Sequence, residues 1–187
     1  MNFILASTSP RRKKILKKIN LKFKIIDSKV DESIVSKNIK PNQYCLKLAE
    51  LKAKNISIKN PNSTVIGADT IVSINNQILN KPKNSNEAKE MLALLSNRTH
   101  KVITGVSLKN QEVNIDKLFY DTTLVTFYKL SHKQINYYID NYSPFDKSGS
   151  YAIQDYGVLF VKKIEGSYNN IVGFPIEKFY QVLKKYF

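Results

Sequence analysis

The feature that most constrains this chain is a nearly continuous apolar run at residues 65–72, which reads Val-Ile-Gly-Ala-Asp-Thr-Ile-Val. Such a run predicts a strand that is buried on both faces of a sheet. Asp69 interrupts it, and burial of a carboxylate is costly unless a cation or hydrogen-bond donors compensate. Asp69 is therefore expected at a strand end that faces a cleft, or in a pair. A metal-bound or proton-accepting carboxylate and one that caps a neighbouring loop fit this pattern equally well.

Strand and helix patterns alternate along the rest of the chain. The run at 3–6 predicts a first strand, and Ser9 followed by Pro10 predicts the start of a helix. Periodicity and capping residues predict further strands over 21–25, 100–108, 118–127 and 158–161, turns at 75–76 and 109–116, and helices that begin near Asn84, Ser131 and Pro175. No repeat or linker interrupts the series. We therefore expect one mixed α/β domain over residues 1–187, with an antiparallel centre and at most two lobes around a shared cleft.

Another helix is predicted over residues 42–54. One of its faces carries residues at i, i+3, i+4 and i+7 spacing, namely Cys45, Leu48, Ala49 and Lys52. Lys52 thus lies on an inward-facing stripe, and Lys81 lies beside a proline that stiffens its backbone. Either ammonium group could neutralise phosphate charge. With 27 lysines in the chain, an ordinary surface lysine is the simpler interpretation of each.

The composition excludes several classes of protein. Cys45 is the only cysteine, which excludes an intramolecular disulfide, and two histidines are too few for a structural zinc site. No apolar segment approaches the ~18 residues of a membrane helix. Basic residues follow the N-terminal apolar run instead of preceding it, unlike in a signal peptide. We expect a soluble protein with no membrane partner, in a reducing compartment such as the cytoplasm.

The formal net charge of +15 raises the question of nucleic-acid binding. Lysine supplies 27 of the 30 basic residues, whereas arginine, whose planar group pairs with phosphates and guanine, occurs only at positions 11, 12 and 98. A lysine excess spread along a chain is more typical of a solvated surface. The pattern argues against a nucleic-acid partner and leaves attraction for anionic small molecules. The adjacent Arg11 and Arg12 indicate a task that lysine cannot perform.

Residues 7–12, Ser-Thr-Ser-Pro-Arg-Arg, lie between the first strand and the first helix. Backbone N–H groups, the Ser7 hydroxyl and the positive end of the helix converge there, and Arg11 and Arg12 add bidentate donors for phosphate oxygens. The segment lacks the Gly and Lys pattern of a P-loop. A phosphate site and a capped helix followed by solvated arginines fit it equally well.

Two further polar residues suit the same chemistry. Glu32 would give a divalent cation a second oxygen ligand beside Asp69, although taken alone it is an ordinary surface acid. Gln154 carries donors and an acceptor on one amide and could pair with a pyrimidine edge, with a turn-stabilising role as the alternative. His100 and His132 lack local partners, so neither is assigned a catalytic role.

Taken in order, these motifs resemble those of the Maf family of nucleotide pyrophosphatases, which are also described as septum-formation inhibitors. The resemblance opens with residues 4–12, Ile-Leu-Ala-Ser-Thr-Ser-Pro-Arg-Arg. It covers essentially the whole chain through Asp31-Glu32, Leu48-Ala49, Lys52-Ala53, Gly67-Ala68-Asp69-Thr70, Lys81-Pro82, Thr104-Gly105-Val106, Asp146-Lys147-Ser148-Gly149-Ser150-Tyr151, Ile153-Gln154 and Val172-Gly173-Phe174-Pro175. Each motif alone is weak, but their number and order argue against chance similarity.

The resemblance implies a mixed central sheet with flanking helices, two lobes around a cleft, and a fold similar to that of inosine triphosphate pyrophosphatases. It also implies hydrolysis of a nucleoside triphosphate to the monophosphate and pyrophosphate with a divalent cation, Mg²⁺ or Mn²⁺. Carried over by position, Asp69 is the catalytic proton acceptor, and Glu32 and Asp69 would hold the metal. The phosphate-binding residues implied in the same way are Ser7, Arg11, Arg12, Lys52 and Lys81.

One branch of the family acts on dTTP and UTP and has Gly-Ala-Asp-Thr and Ile-Gln at the positions of residues 67–70 and 153–154. A second branch acts on 7-methylated GTP and has Gln after the catalytic Asp and Glu in place of the later Gln. Thr70 and Gln154 match the pyrimidine branch, with Arg11 as the third specificity position. The preference among dTTP, UTP and modified pyrimidine nucleotides stays open, as does the oligomeric state, a homodimer included.

Two other functions remain open on the sequence. A non-catalytic nucleotide-binding regulator of cell division would use the same cleft and would bind nucleotide without turnover. A nucleic-acid-binding module, favoured only by the net charge, would bind oligonucleotides with steep salt dependence. The enzyme hypothesis explains the carboxylates, because Asp69 would deprotonate a water aimed at the α-phosphorus while the cations hold the triphosphate.

Overall fold

The first strand and the first helix form where the sequence predicts them. In a computed structural model of the chain, which describes residues 2–186, β1 spans Asn2–Leu5 and α1 spans Pro10–Lys17. Ser9 caps α1, since its hydroxyl oxygen accepts the backbone N–H of Arg12 at 3.5 Å. Proline is well suited to the first turn, because the N–H that it lacks would have no partner within the helix.

The remaining elements alternate between helices and strands. The helices are α2 (Pro41–Ser57), α3 (Ser85–Leu95), α4 (His132–Tyr142), α5 (Tyr168–Val172) and α6 (Ile176–Leu183). The strands are β2 (Phe23–Ile25), β3 (Ser63–Ile74), β4 (Gln77–Leu79), β5 (Thr99–Asn110), β6 (Ile115–Phe127) and β7 (Val161–Glu165). Short 3-10 turns span Glu32–Ile34, Pro144–Asp146, Ser148–Ser150 and Tyr156–Phe160.

The strands within residues 2–186 form one seven-stranded sheet in the order β2-β1-β3-β5-β6-β7, with β4 paired to β3. β1 runs parallel to β2 and β3, whereas β4 is antiparallel to β3 and β7 is antiparallel to β6. The predicted mixed sheet with flanking helices is thus confirmed. Asn75 and Asn76 join β3 to β4 with φ angles of 50° and 63°, the positive values that a tight two-residue hairpin requires.

The chain divides into two compact units. The first unit contains the residues up to Thr70, the segment Thr104–Asp121 and the residues from Gly173 onward. One apolar cluster in it joins β1, α2 and β3 through Ile4, Ala6, Ala53, Ile56 and Val65. The single domain over residues 1–187 remains a prediction.

The second unit contains Ile71–Ile103 and Thr122–Val172. Its core contains aromatic side chains, and the completely buried ones include Phe127, Tyr138 and Phe160. Phe127 meets Phe160 edge to face with 5.9 Å between ring centroids, and Tyr138 meets Phe160 at 5.1 Å. Among the described residues, no helix combines the length and apolarity needed to cross a bilayer.

Two glycines of the first unit let α2 lie directly on the sheet. A Cβ atom on Gly67 would come within 2.2 Å of the Ala49 carbonyl oxygen, and one on Gly105 within 2.7 Å of the Cys45 carbonyl oxygen. Both obstacles are helix backbone, which cannot rotate away as a side chain could. Close contact between α2 and the sheet therefore depends on glycine at these two positions.

The predicted strand over 158–161 is wrong in most of its length. Residues 156–160 form a 3-10 turn, and β7 begins only at Val161. Asp155 starts the turn because its carboxylate accepts the N–H of Gly157 at 2.9 Å and the hydroxyl of Tyr138 at 3.0 Å. Val158 and Leu159 are exposed, so this short apolar run is not the core of a sheet.

The polar turn predicted over 109–116 is shorter in the structure, where only residues 111–114 separate β5 from β6. Polar side chains support the additional strand residues. Lys109 Nζ lies 2.7 Å from Asp116 Oδ1, and Asn110 Nδ2 donates to Thr64 Oγ1 at 3.0 Å. Side-chain pairing thus extends the two strands into a stretch whose composition suggested a loop.

Candidate active site

A buried lysine joins two carboxylates in the first unit. Lys52 Nζ lies 2.7 Å from Asp69 Oδ1 and 2.7 Å from Glu32 Oε1. Lys52 comes from α2 and Asp69 from β3. Each residue is only 8% exposed to solvent, whereas the Glu32 side chain is half exposed. The inward orientation predicted for Lys52 is confirmed, and of the two alternatives predicted for Asp69, a cleft-facing strand end or a pair, the structure shows the pair.

The buried charges shift one another's pKa values. Burial raises the pKa of Asp69 above the usual carboxyl value, and the nearby cations of Lys52 and Arg12 offset this only in part. Burial alone would lower the pKa of Lys52, but Asp69 and Glu32 outweigh it, so the pKa of Lys52 is raised. Lys52 is therefore a fixed cation at neutral pH, and Asp69 is a stronger base than an exposed aspartate. Such a carboxylate can accept a proton from a bound water.

The thiol of Cys45 holds the backbone on either side of this pair. Cys45 Sγ donates to the Asp69 carbonyl oxygen at 2.9 Å and accepts the N–H of Gly105 at 2.9 Å. Burial raises the pKa of the Cys45 thiol well above its usual value, and the Asp69 carboxylate adds to the shift. The group consequently keeps the proton that it donates. The sequence placed Cys45 on the inward stripe of α2 but assigned it no role.

A second polar cluster surrounds Arg12. Its Nε donates to the Gly173 carbonyl oxygen at 3.0 Å, Nη1 donates to Ser7 Oγ at 3.0 Å, and Nη2 donates to Thr70 Oγ1 at 3.1 Å. Burial lowers the pKa of Arg12 and Asp69 opposes this change, but a guanidinium stays charged in proteins. The cluster thus anchors the cation of Arg12, on α1, to Thr70 of β3, the strand that also carries Asp69.

The register of the parallel pair β1–β3 brings Ser7 to this cluster. Leu5 lies opposite Ile66, and the N–H of Ala6 donates to the Ile66 carbonyl oxygen at 2.8 Å. Ser7 follows immediately and is buried beside the stretch of β3 that leads to Asp69. The Ser9 cap then starts α1, so that Arg12 lies in its first turn.

Arg11, Lys81 and Gln154 are the remaining predicted site residues. Arg11 is half-buried on α1 in the first unit. Lys81 and Gln154 belong to the second unit, where both are exposed. Lys81 follows β4, and Gln154 lies in a turn after the buried Ile153. The structure therefore assembles Ser7, Arg12, Glu32, Lys52, Asp69 and Thr70 within one unit.

Glu32 and Asp69 form a donor set that suits a hard cation. Their carboxylate oxygens each lie 2.7 Å from the Lys52 nitrogen, so the two carboxylates lie near each other with the ammonium group between them. Mg²⁺ and Mn²⁺ prefer oxygen ligands, and Mg²⁺ sites commonly add water and substrate phosphate to one or two carboxylates. Within residues 2–186, no three His, Cys, Asp or Glu side chains are grouped closely enough to hold a metal ion. The set fits a cation whose remaining ligands come from substrate and water.

The sequence also gave no role to two participants in the Arg12 cluster. Thr104 Oγ1 lies 3.0 Å from Thr70 Oγ1, and the Gly173 carbonyl oxygen accepts from both Arg12 and Thr70. A threonine in a buried strand has no distinctive pattern, and a backbone carbonyl has none at all. The only available signal was membership of the Thr104-Gly105-Val106 and Val172-Gly173-Phe174-Pro175 motifs.

Comparison with known proteins places the chain in a family. The model of the Maf-like protein family matches residues 2–186. A dTTP/UTP pyrophosphatase of Carboxydothermus hydrogenoformans is 44% identical over 186 residues, which cover 100% of this chain and 99% of that protein. The dTTP/UTP pyrophosphatase of Bacillus cytotoxicus is 45% identical over 184 residues, which cover 98% and 95% of the two chains. A HAM1 protein from Coxiella burnetii shares the fold with a TM-score of 0.56 at 13% identity, over 99% of both chains. The chain described here belongs to the Maf-like protein family.

Proposed function

We propose that this protein is a nucleoside triphosphate pyrophosphatase that hydrolyses dTTP and UTP, and modified pyrimidine nucleotides of the same shape, to the monophosphate and pyrophosphate. The observation that carries the proposal is the buried Asp69, held 2.7 Å from Lys52 and raised in pKa by its burial. Relatives 43–46% identical to the chain are named for this activity. The site combines fixed cations, Lys52 and Arg12, with a base, as attack of water on a polyanion requires.

The cations of the site would hold the triphosphate. Arg12 presents a fixed guanidinium at the first turn of α1, where the helix dipole also favours anions. Ser7, Arg11, Lys52 and Lys81 complete the proposed phosphate-binding set. When substrate binds, the ammonium group of Lys52 would divide its N–H donors between its carboxylate partners and the phosphate.

Asp69 is the proposed general base. Its carboxylate accepts a proton from a water, and the water oxygen forms a bond to the α-phosphorus. The bond between that phosphorus and the bridging oxygen breaks, and pyrophosphate leaves with the electron pair. Lys52 keeps the carboxylate oriented throughout, because its ammonium group donates to Asp69 Oδ1.

Glu32 and Asp69 would hold a divalent cation, Mg²⁺ or Mn²⁺. Such an ion offsets the negative charge that builds up on phosphoryl oxygens. We also place the activity in the cytoplasm, where it would remove unwanted nucleotides from the pool or act during arrest of cell division.

Recognition of the base is assigned to Arg11, Thr70 and Gln154. The exposed Gln154 amide can donate and accept side by side, which matches the N–H and carbonyl edge of uracil and thymine. Gln154→Glu should change the ranking of nucleotides, because the amide donors are lost. The exposed Gln111→Glu is the matched control, and an unaltered ranking in the Gln154 variant would remove this assignment.

Pyrophosphate release from canonical and modified nucleoside triphosphates with Mg²⁺ or Mn²⁺ tests the proposal. We expect turnover of dTTP and UTP, and a loss of about 100-fold or more in Asp69→Asn. Asp140→Asn removes an exposed carboxylate on α4 and should turn over normally. Preference for 7-methyl-GTP would keep the mechanism and overturn the substrate class. Binding without turnover in the wild type would favour the alternative function, a nucleotide-binding regulator of cell division.

A further inference from the structure

A buried tyrosine of α4 lies under the turn that carries Gln154. Tyr138 belongs to the buried stripe of the helix and is itself completely buried. Its ring stacks on Tyr142 with 5.5 Å between ring centroids and meets Phe160 edge to face at 5.1 Å. Because rings packed in this way have little freedom to move, the position of the Tyr138 hydroxyl is fixed by the core of the second unit.

This hydroxyl makes two hydrogen bonds, one to a residue on each side of Gln154. It accepts the backbone N–H of Ala152 at 3.0 Å and donates to Asp155 Oδ1 at 3.0 Å. The direction of each bond is determined, because a backbone N–H can only donate and a carboxylate can only accept. Burial raises the pKa of Tyr138, so the hydroxyl keeps the proton that it donates.

The ends of the same turn also contact each other. Asp155 Oδ1 accepts the N–H of Gly157 at 2.9 Å. A Cβ atom on Gly157 would come within 2.4 Å of the Ala152 carbonyl oxygen, so the backbones at the two ends are packed together. Between these ends Ile153 is buried and Gln154 is exposed. The amide of Gln154 is therefore attached to a short stretch of backbone that is held on both sides.

A held backbone improves recognition by an exposed side chain. Ordering a mobile residue when a ligand binds costs conformational entropy, and a residue that is already in place avoids part of this cost. The bonds of Tyr138 supply such order to the backbone of Gln154 while the amide itself remains accessible.

We propose that Tyr138 is a positioning residue for recognition of the nucleotide base, and that together with Asp155 it holds the turn that presents Gln154. The inference rests on the proposed contact between Gln154 and a pyrimidine base. It gives a role in substrate selection to two residues that the proposed function does not otherwise use.

A ligand without a base separates this role from a general effect on the protein. Tyr138→Phe keeps the packed ring and removes only the hydroxyl. We expect it to raise the Kd values of non-hydrolysable dTTP and UTP analogues by about five-fold, which corresponds to one hydrogen bond of ordinary net strength. The Kd of inorganic triphosphate, measured with Mg²⁺, should stay unchanged. Calorimetry measures both quantities whether or not the protein turns nucleotides over.

Variants of the bonded partners test the route of the effect. Asp155→Ala removes the acceptor and should raise the same Kd values, and its combination with Tyr138→Phe should add little, because both changes break one bond. Asp155→Asn keeps an acceptor oxygen and should bind as the wild type does. In a Gln154→Ala background, Tyr138→Phe should have almost no further effect, because the group that it positions is gone.

Tyr151→Phe is the matched control. It removes another buried tyrosine hydroxyl of the second unit, which lies 2.8 Å from His100 Nε2 on β5. Both tyrosine variants should lower the thermal unfolding midpoint, since each leaves a buried polar group without its partner. Only Tyr138→Phe should change the Kd values of the nucleotide analogues.

The possible results are distinct. If Tyr138→Phe leaves the Kd values of the analogues unchanged while Gln154→Ala raises them, Tyr138 only stabilises the fold and the inference is overturned. An equal rise in the Kd of inorganic triphosphate would overturn it as well, since that ligand has no base. If Gln154→Ala leaves the Kd values of the analogues unchanged, the inference fails together with the assignment of Gln154. If Asp69→Asn retains turnover while the tyrosine variants behave as expected, only the proposed general base is wrong.

Discussion

The thiol of Cys45 donates a hydrogen bond to the backbone carbonyl oxygen of Asp69, with 2.9 Å between sulfur and oxygen. The carboxylate of Asp69 is held separately by Lys52, which lies about two turns further along the same face of α2. One helix thus fixes both the backbone and the side chain of the candidate base. Preorganisation of this kind is effective because the groups need no rearrangement during reaction.

Removal of the Cys45 thiol should loosen this arrangement. Cys45→Ala leaves the Gly105 N–H and one lone pair of the Asp69 carbonyl without their buried partner, which should lower the free energy of unfolding by about 2 kcal/mol. Urea unfolding measures the loss. Cys45→Ser keeps a donor and an acceptor and should recover part of it, whereas Cys45→Val, similar in shape and apolar, should not. Equal stability of the serine and valine variants would show that packing alone matters at this position.

Removal of one partner of the Lys52–Asp69 pair should lower the free energy of unfolding more than removal of both. Lys52→Met leaves a buried carboxylate without its cation, and we expect a loss of about 3 kcal/mol in unfolding free energy. The double variant Lys52→Met/Asp69→Leu removes the stranded charge and should regain much of that stability while remaining inactive. Lys109→Met is the control, because Lys109 bridges two more exposed carboxylates, Glu50 and Asp116, and should lose less than about 1 kcal/mol. Additive effects in the double variant would contradict the coupling.

The periodicity of the sequence predicted which helix face carries the site residues, but it did not predict the hydrogen bonds between those residues. The 3.6-residue repeat placed Cys45 and Lys52 on the buried face of α2, because burial of one helical stripe is what such a repeat encodes. The burial cost of Asp69 predicted either a cleft-facing strand end or a partner, and it did not identify the partner. The bonds of Thr104 and of the Gly173 carbonyl connect segments far apart in the chain, and no local pattern encodes them. The strand over 158–161 was mispredicted because a short apolar run also suits a turn with two exposed side chains.

His100 should make stability dependent on pH. It is buried against Phe127 and Tyr151, its Nε2 lies 2.8 Å from the Tyr151 hydroxyl, and Nδ1 has no hydrogen-bond partner among the described residues. Burial lowers the pKa of His100 to about 4 from 6.5. The unfolded chain therefore binds a proton at a pH where the folded chain does not. The part of the stability that depends on neutral His100 is fully present above about pH 6.5 and is lost as the pH drops toward about 4.

The expected loss from this group is about 2 kcal/mol between pH 7 and pH 5. Urea unfolding at the two pH values measures it. His100→Gln should reduce the difference by that amount whatever its own stability, and the exposed His132→Gln should leave it unchanged. A pH dependence that survives in His100→Gln would assign it to other groups.

Gly67→Ala should separate α2 from the sheet. The added methyl group would lie 2.2 Å from the Ala49 carbonyl oxygen and 2.7 Å from the Ala53 nitrogen, so the helix must move. We expect a loss of about 3 kcal/mol in unfolding free energy, together with reduced turnover, since Lys52 moves with the helix. Ser63→Ala on the same strand, at a half-buried position, should change stability by less than about 1 kcal/mol. A thermal unfolding midpoint equal to that of the wild type would mean that α2 can move away from the added methyl group without loss of stability.

The hydrogen bond from Arg12 to the Gly173 carbonyl joins residues 161 positions apart. A ribosome adding about 5–20 residues per second makes α1 roughly 8 to 30 seconds before Gly173. During that interval the guanidinium lacks one of its anchors, and Thr70 lacks the carbonyl that takes its proton. The nascent chain can therefore form β1, α1 and α2 early, but the Arg12 guanidinium obtains its hydrogen bond to Gly173 only near the end of synthesis.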